Sequence, residues 1–239
     1  MYMKNWVLLF ALSVIGTFSV QAQSPLDLLK KVTKPKSGDS LSTNDIASGL
    51  KEALSNGVTK GTSKLSAVDG FLKDAAIKIL LPPEAEKVEK TLRGIGLGKQ
   101  VDDAIVSMNH AAEDAAKSAA PIFLNAIKGM SITDAWGILK GGDTAATAYL
   151  RSKTNASLTE AFKPVIDQSL AKTGATKYWN TLFSSYNKFS FKKINPDLSS
   201  YVTEKALSGI FYEVALQETQ IRKDPVARTS DLLQKVFGK

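Results

Sequence analysis

From Leu41 onward nearly every segment of this chain carries the marks of a helix: a capping residue, apolar side chains at spacings of three and four, then Gly or Pro. That pattern leaves little room for a sheet. The chain is predicted to be all-α, a single-domain bundle of about eight to ten helices with at most a minor two-stranded element. Its first helix, Thr43 to Leu65, places Gly49, Ala53, Gly57 and Gly61 four residues apart, beside Ile46, Leu50, Leu54 and Val58. Small residues at that spacing form a ridge that another backbone approaches closely. Each glycine costs roughly 1 kcal/mol of helix propensity, so the ridge calls for tight packing inside the domain. A groove for a partner helix is the alternative.

The later elements follow the same rules. Asp69-Gly70 marks a turn, and Ile77 to Leu81, closed by Pro82-Pro83, is either extended or one helical turn. Pro83 suits the start of a helix to about Arg93, ended by Gly94, Gly96 and Gly98. Lys99 to about Ser118 is amphipathic, with Val101, Ile105, Met108, Ala112 and Ala115 on one arc. Pro121 opens a helix ending near Gly129, and Ser131 with Asp134 forms a capping-box-like start for Ala135 to Lys140. Asp143 is expected to cap Thr144 to Lys153, and Ser157 with Glu160 to open a separate helix that Pro164 bends. An aromatic helix runs from Ala175 to Tyr186. Asp197 caps a long helix to about Arg222 with apolar stripes on two sides, the mark of a central position, and Thr229 caps a last one, Ser230 to Phe237.

The N-terminus addresses location. Lys4, the charge-free run of 15 residues from Trp6 to Val20, and Val20-Gln21-Ala22 read as a secretory signal cleaved after Ala22. The run is short of the roughly 20 residues a membrane-spanning helix needs, which favours cleavage over a retained anchor. Residues 23–40, with Lys30, Lys31, Lys34 and Lys36 among Pro, Ser and Gly, form a flexible leader before the domain at 41–239. The protein is therefore expected to be periplasmic or secreted, with no transmembrane segment after cleavage. The chain has no cysteine, which excludes both a disulfide framework and lipid attachment through an N-terminal thiol. Loss of Lys4 leaves 30 of the 31 Lys and Arg against 23 Asp and Glu, a net charge of +7. Lipid or another anionic envelope component fits that charge; nucleic acid, which calls for clustered cations and stacking aromatics, does not.

Chemistry is sparse. The single histidine, His110, falls opposite the apolar arc of its helix near Asp103, Asp114 and Lys117, so its expected environment is water. Without cysteine and with one histidine, zinc, haem and cysteine-nucleophile sites fall away, and no metal or cofactor is expected. There is no G-x-S-x-G elbow, and the glycines at 94, 96 and 98 lack the strand and Lys-Ser pair of a phosphate loop. Asp102 and Glu113, flanking the apolar arc with Asn109 between them, are the carboxylates a hydrolase or lyase would need. Tyr186 to Ile194 alternates Phe189 and Phe191 with Lys188, Ser190 and Lys192, a pattern that covers an apolar pocket, meets a membrane surface, or plugs the core. The leading expectation is a non-enzymatic protein that binds an apolar or amphiphilic ligand, or an envelope component, with Tyr178, Trp179, Phe189, Phe191 and Tyr212 as candidate lining residues. The alternatives are the carboxylate enzyme and an assembly partner using the glycine ridge.

The segments LSNGVTKGTSKL, VDGFLKD, LRGIGLGKQVDD, MNHAAEDAA, ILKGGDTAATAYLRSKT and IRKDPVARTSDLLQKVFG, in this order, resemble the bacterial domain of unknown function family 4197. The resemblance runs from about Leu41 to Gly238 and implies an exported, mostly helical protein. It supplies no catalytic residues. Polar positions within these motifs are Asn109, Glu113, Asp134, Arg151, Thr154, Arg222, Asp224, Arg228, Thr229 and Asp231, and His110 stands where the family often carries arginine. From this comparison Asn109, Glu113 and Arg151 join the candidate ligand-binding residues, and the Asp224 to Asp231 stretch is expected to fix the last chain reversal by capping and ion pairing.

Overall fold

Helix α1 (Thr43–Leu65) opens the fold in the computed structural model, which describes residues 42–189, 193, 197–228 and 230–237. A Ser42/Asp45 capping box starts it: the Ser42 hydroxyl accepts from the Asp45 N–H, and the Asp45 carboxylate accepts from the Ser42 N–H. A short 3₁₀ turn (Pro83–Ala85) leads into α2 (Glu86–Gly94), followed by α3 (Gly98–Ala116), α4 (Ala119–Lys128), α5 (Ile132–Lys140), α6 (Ala145–Thr173), α7 (Ala175–Phe189), α8 (Leu198–Lys223) and α9 (Asp231–Phe237). The fold is all-α, with nine α-helices and no strand among the described residues.

Four long helices, α1, α3, α6 and α8, make the centre. The most extensive pairs are α6 with α8, α3 with α6, and α1 with α8. Shape explains the closeness. Helix α3 presents Ala111, Ala112, Ala115 and Ala116, all fully buried, so larger side chains of its neighbours reach the core: Leu158, Phe162 and Ile166 of α6, and Ile210 and Phe211 of α8. Phe123 of α4 closes against Phe211 edge-to-face, with centroids 5.7 Å apart.

The glycine ridge of α1 is buried along its length. A Cβ at Gly49 would lie 2.9 Å from a methyl of Val236 on α9, and one at Gly61 3.2 Å from Cγ of Glu213 on α8. Tight internal packing is thus the use of this ridge. The assembly reading, which needed it exposed, is corrected.

Two further expectations change. The predicted break between helices near Ser157 is absent, and α6 runs unbroken through Pro164. Pro164 is exposed and forfeits one backbone bond, a cost of about 3 kcal/mol. Leu150, Leu158, Phe162, Ile166 and Leu170 form one fully buried row through it, each contributing about 1.5–3 kcal/mol, so packing outweighs the proline. The aromatic segment also differs: α7 extends to Phe189 as helix, whereas Phe191 lies outside the described residues.

Between α1 and the 3₁₀ turn, residues 66–82 form a strap across α3 and α8. Asp69 takes a left-handed φ of 64°, and a Cβ on Gly70 would sit 2.4 Å from the Lys64 carbonyl, so only glycine fits. The fully buried Phe71 ring lies against Gly209 of α8, where a Cβ would come within 2.6 Å of it. Gly137 of α5, by contrast, faces open space. Replacing Gly137 by Ala is expected to stabilise the protein by about 0.5–1 kcal/mol through helix propensity. Gly209→Ala is expected to destabilise it by about 1–3 kcal/mol despite the same propensity gain, because the ring cannot yield. Urea unfolding of both variants checks the opposite signs.

Candidate functional site

Asn109 and Glu113 stand four residues apart on α3, fully engaged by the strap. The Asn109 Oδ1 accepts from the Ile79 N–H at 2.8 Å, and its Nδ2 donates to the carbonyls of Ile79 (2.8 Å) and Ile105 (2.7 Å). One side chain thereby stands in for a paired strand. The Glu113 carboxylate accepts from the N–H groups of Asp69, Phe71 and Leu72 at 3.1–3.2 Å. Tyr201 of α8 completes the fastening by donating to the Leu80 carbonyl at 2.7 Å, and burial pushes its phenol up to about 12, with Glu204 and Glu84 adding. His110 is exposed as expected, with Nε2 3.7 Å from Asp69 and 3.9 Å from Glu113.

Asp102, the proposed partner of Glu113, is mostly exposed and accepts from Arg93 at 2.8 Å. Eleven residues of one helix separate the two carboxylates by about 16 Å, beyond the roughly 5–9.5 Å of a glycosidase pair. The carboxylate-pair site is corrected on that geometry.

A second buried pair joins three helices. Helix α6 begins at Thr144 with no side-chain cap of its own, and Asp143, expected to cap it, pairs instead with Lys223. The cap comes from α8. The Glu218 carboxylate accepts from the N–H groups of Ala146 (2.9 Å) and Thr147 (2.8 Å), the Thr147 hydroxyl (2.8 Å) and Arg222 (2.9 Å). Arg222 also donates to the carbonyls of Ile138 and Leu139 at the end of α5. Glu213, another buried acid of α8, accepts from Lys64 and Gln217, each at 2.8 Å. Arg228 donates to the carbonyls of Ile221 and Arg222, closing the end of α8 without an ion pair among the described residues; Thr229 lies outside them.

Most motif polar groups therefore hold backbone. Arg151 does not. It lies in the seam of α6 and α8, where a groove of about 300 Å³ is lined by Arg151, Asn155, Thr159 and Lys163 on one wall and Ser200, Thr203, Glu204, Leu207 and Ser208 on the other. The helices run antiparallel here. At one end Lys163 donates to Asp197 and Ser200, both at 3.0 Å. At the other, the Arg151 guanidinium carbon lies over the Phe211 ring, 4.2 Å from its centre, with no hydrogen bond or ion pair among the described residues. Leu207 and Thr203 form the buried floor.

The aromatic candidates do not gather. Trp179 is buried, 4.4 Å from Phe183 and stacked 5.7 Å from Tyr201, so it is core. Tyr212 is half exposed on α8, one turn beyond Ser208 on the same row. The side chains of Tyr178 and Phe189 lie outside the described residues. A second void, lined by Leu50, Leu54, Ile221 and Phe237 among others, measures about 10 Å³, room for one water.

A family model described as protein of unknown function (DUF4197) matches residues 40–238. The chain belongs to DUF4197. No curated protein and no solved structure matches it. No described helix of this DUF4197 member is long and apolar enough to cross a membrane, and no cluster of three or more metal-ligating side chains exists among the described residues. The α6–α8 groove escaped sequence reading because its residues are polar and four apart, the look of a solvated face.

Glu218→Ala strands Arg222 and two helix-start N–H groups, and is expected to cost about 3–5 kcal/mol, with the E218A/R222A double variant well short of the sum of the single losses in urea unfolding. Asp197 is held down to about 2, chiefly by the Ser200 hydroxyl, from an ordinary 3.8. A depressed carboxyl contributes stability above its unfolded value that is lost as pH falls through the folded one. Thermal melts should therefore show wild type losing stability between about pH 4 and 2, with the slope reduced in Asp197→Asn.

Proposed function

We propose that this protein is a non-enzymatic exported binding protein that holds a cell-envelope component in the groove between α6 and α8. One observation carries the reading: the groove is the place where a charged side chain of the family motifs, Arg151, is fixed in position with its hydrogen-bond donors unengaged. The leader-like N-terminus and the excess of basic residues support an anionic envelope partner. The lining residues are nearly all polar while much of the surface they present is hydrocarbon, a combination that suits the headgroup or glycan of an envelope component.

The test is native mass spectrometry of the protein recovered from its own cell envelope, wild type beside Ser208→Trp, which fills the groove from an exposed position. A reproducible non-covalent adduct on wild type and its loss from S208W are expected. An adduct that survives S208W places binding elsewhere, and a bare wild-type chain overturns the binding reading.

A further inference from the structure

We infer that the groove is built for an anionic saccharide, a sugar bearing a carboxylate or phosphate, with Arg151 as the anion anchor and Glu204 as the acceptor of sugar hydroxyls. The inference rests on the groove being the binding site and adds the chemistry of what it takes.

Arg151 supplies the first part. The guanidinium carbon lies over the Phe211 ring at 4.2 Å, a cation–π contact that supports the group without using its N–H donors. A planar fork of donors beside a groove matches the two oxygens of a carboxylate or phosphate. Lys163, by contrast, is already bound by Asp197 and Ser200, which leaves Arg151 as the available cation of the lining.

The opposite wall decides what else the ligand carries. Glu204 makes no ion pair among the described residues, and it lines the same groove as Arg151. A carboxylate there repels a bare multivalent anion and accepts hydrogen bonds from hydroxyls. The Asn155 amide, with no hydrogen bond among the described residues, adds both a donor and an acceptor. The floor is closed by Leu207 and Thr203. Thr62 and Thr154, buried in their own helices, donate to the carbonyl four residues back, at 2.7 Å in both cases. Thr203, equally buried, donates to none, and its hydroxyl, like those of Ser199 and Thr176, has no partner among the described residues. A cation, a carboxylate, an amide and a hydroxyl around about 300 Å³ suit a ligand with one charge and several hydroxyls.

The experiment is a ¹H–¹⁵N NMR titration of the purified protein, following the Arg151 Nε and Asn155 side-chain signals, with glucuronate, glucose 6-phosphate, glucose and inorganic phosphate. Glucuronate and glucose 6-phosphate are expected to bind about tenfold or more tightly than glucose, and Arg151→Ala to erase that difference. Glu204→Gln, exposed and away from the core, should weaken both sugar acids while improving inorganic phosphate. Preference for glucuronate assigns the charge to a uronic acid, and preference for glucose 6-phosphate to a phosphosugar; either supports the inference. Inorganic phosphate binding as tightly as glucose 6-phosphate, glucose binding as tightly as the acids, unchanged affinity in R151A, or no binding by any probe overturns it. An envelope adduct lost from S208W yet retained by R151A would leave the groove reading standing and sink this one alone.

Discussion

The Glu218 carboxylate meets a need that α6 cannot meet by itself. A helix start exposes backbone N–H groups with no partner, and burying them unpaired costs about 1–3 kcal/mol each. Thr144 offers no cap, so two of these groups are satisfied from α8, 72 and 71 residues away in sequence. Arg222, one turn further along α8, satisfies carbonyls at the end of α5. One i,i+4 pair therefore fixes where α5 ends, where α6 begins and how both sit on α8. At the far end of the same seam, Asp197 caps α8 and binds Lys163 of α6. Pinned at both ends, the antiparallel pair holds the groove walls at a set separation.

The same economy recurs on α3. Asn109 and Glu113 are buried polar side chains in an alanine-rich helix, and each answers backbone groups of a strap that has no regular structure to pair it. An apolar residue at either place would leave donors or acceptors buried without partners. These residues look like a site in the sequence because polar groups embedded in an apolar surface are what both sites and clamps require. Geometry separates the two: a clamp's atoms all point at backbone, whereas the donors of Arg151 point at none.

Legibility in the sequence followed the range of the interaction. Helix starts with local caps, Ser131 and Asp197, were readable because cap and first turn adjoin in the chain. The start of α6 was misassigned to Asp143 because its cap is supplied by a distant helix, and the false break near Ser157 arose because local signals weigh a proline without the buried row that outvotes it. The glycine ridge announced a close neighbour correctly, yet not that α8 and α9 share it. Asp102 and Glu113 failed as a pair for a reason the sequence does contain: residues eleven apart on one helix are about three turns apart. The groove was least legible. Its rows, Arg151, Asn155, Thr159 and Lys163 against Ser200, Glu204 and Ser208, become neighbours only when α6 and α8 pack antiparallel.

What marks Arg151 as more than a solvated cation is the way it is held. An exposed arginine ordinarily keeps its long side chain mobile, and immobilising it costs up to about 2 kcal/mol of rotamer entropy. Phe211 offsets that cost through its ring face, and Phe211 is itself fixed edge-on by Phe123 in the core. The orientation of a surface cation is thus set by the innermost packing of the bundle. Lysine at the same position would stack less well and present a point charge in place of a fork, so the geometry is particular to arginine. A preorganised donor loses less freedom on binding than a mobile one, which is why rigid support beneath an unpaired guanidinium favours recognition over mere solubility.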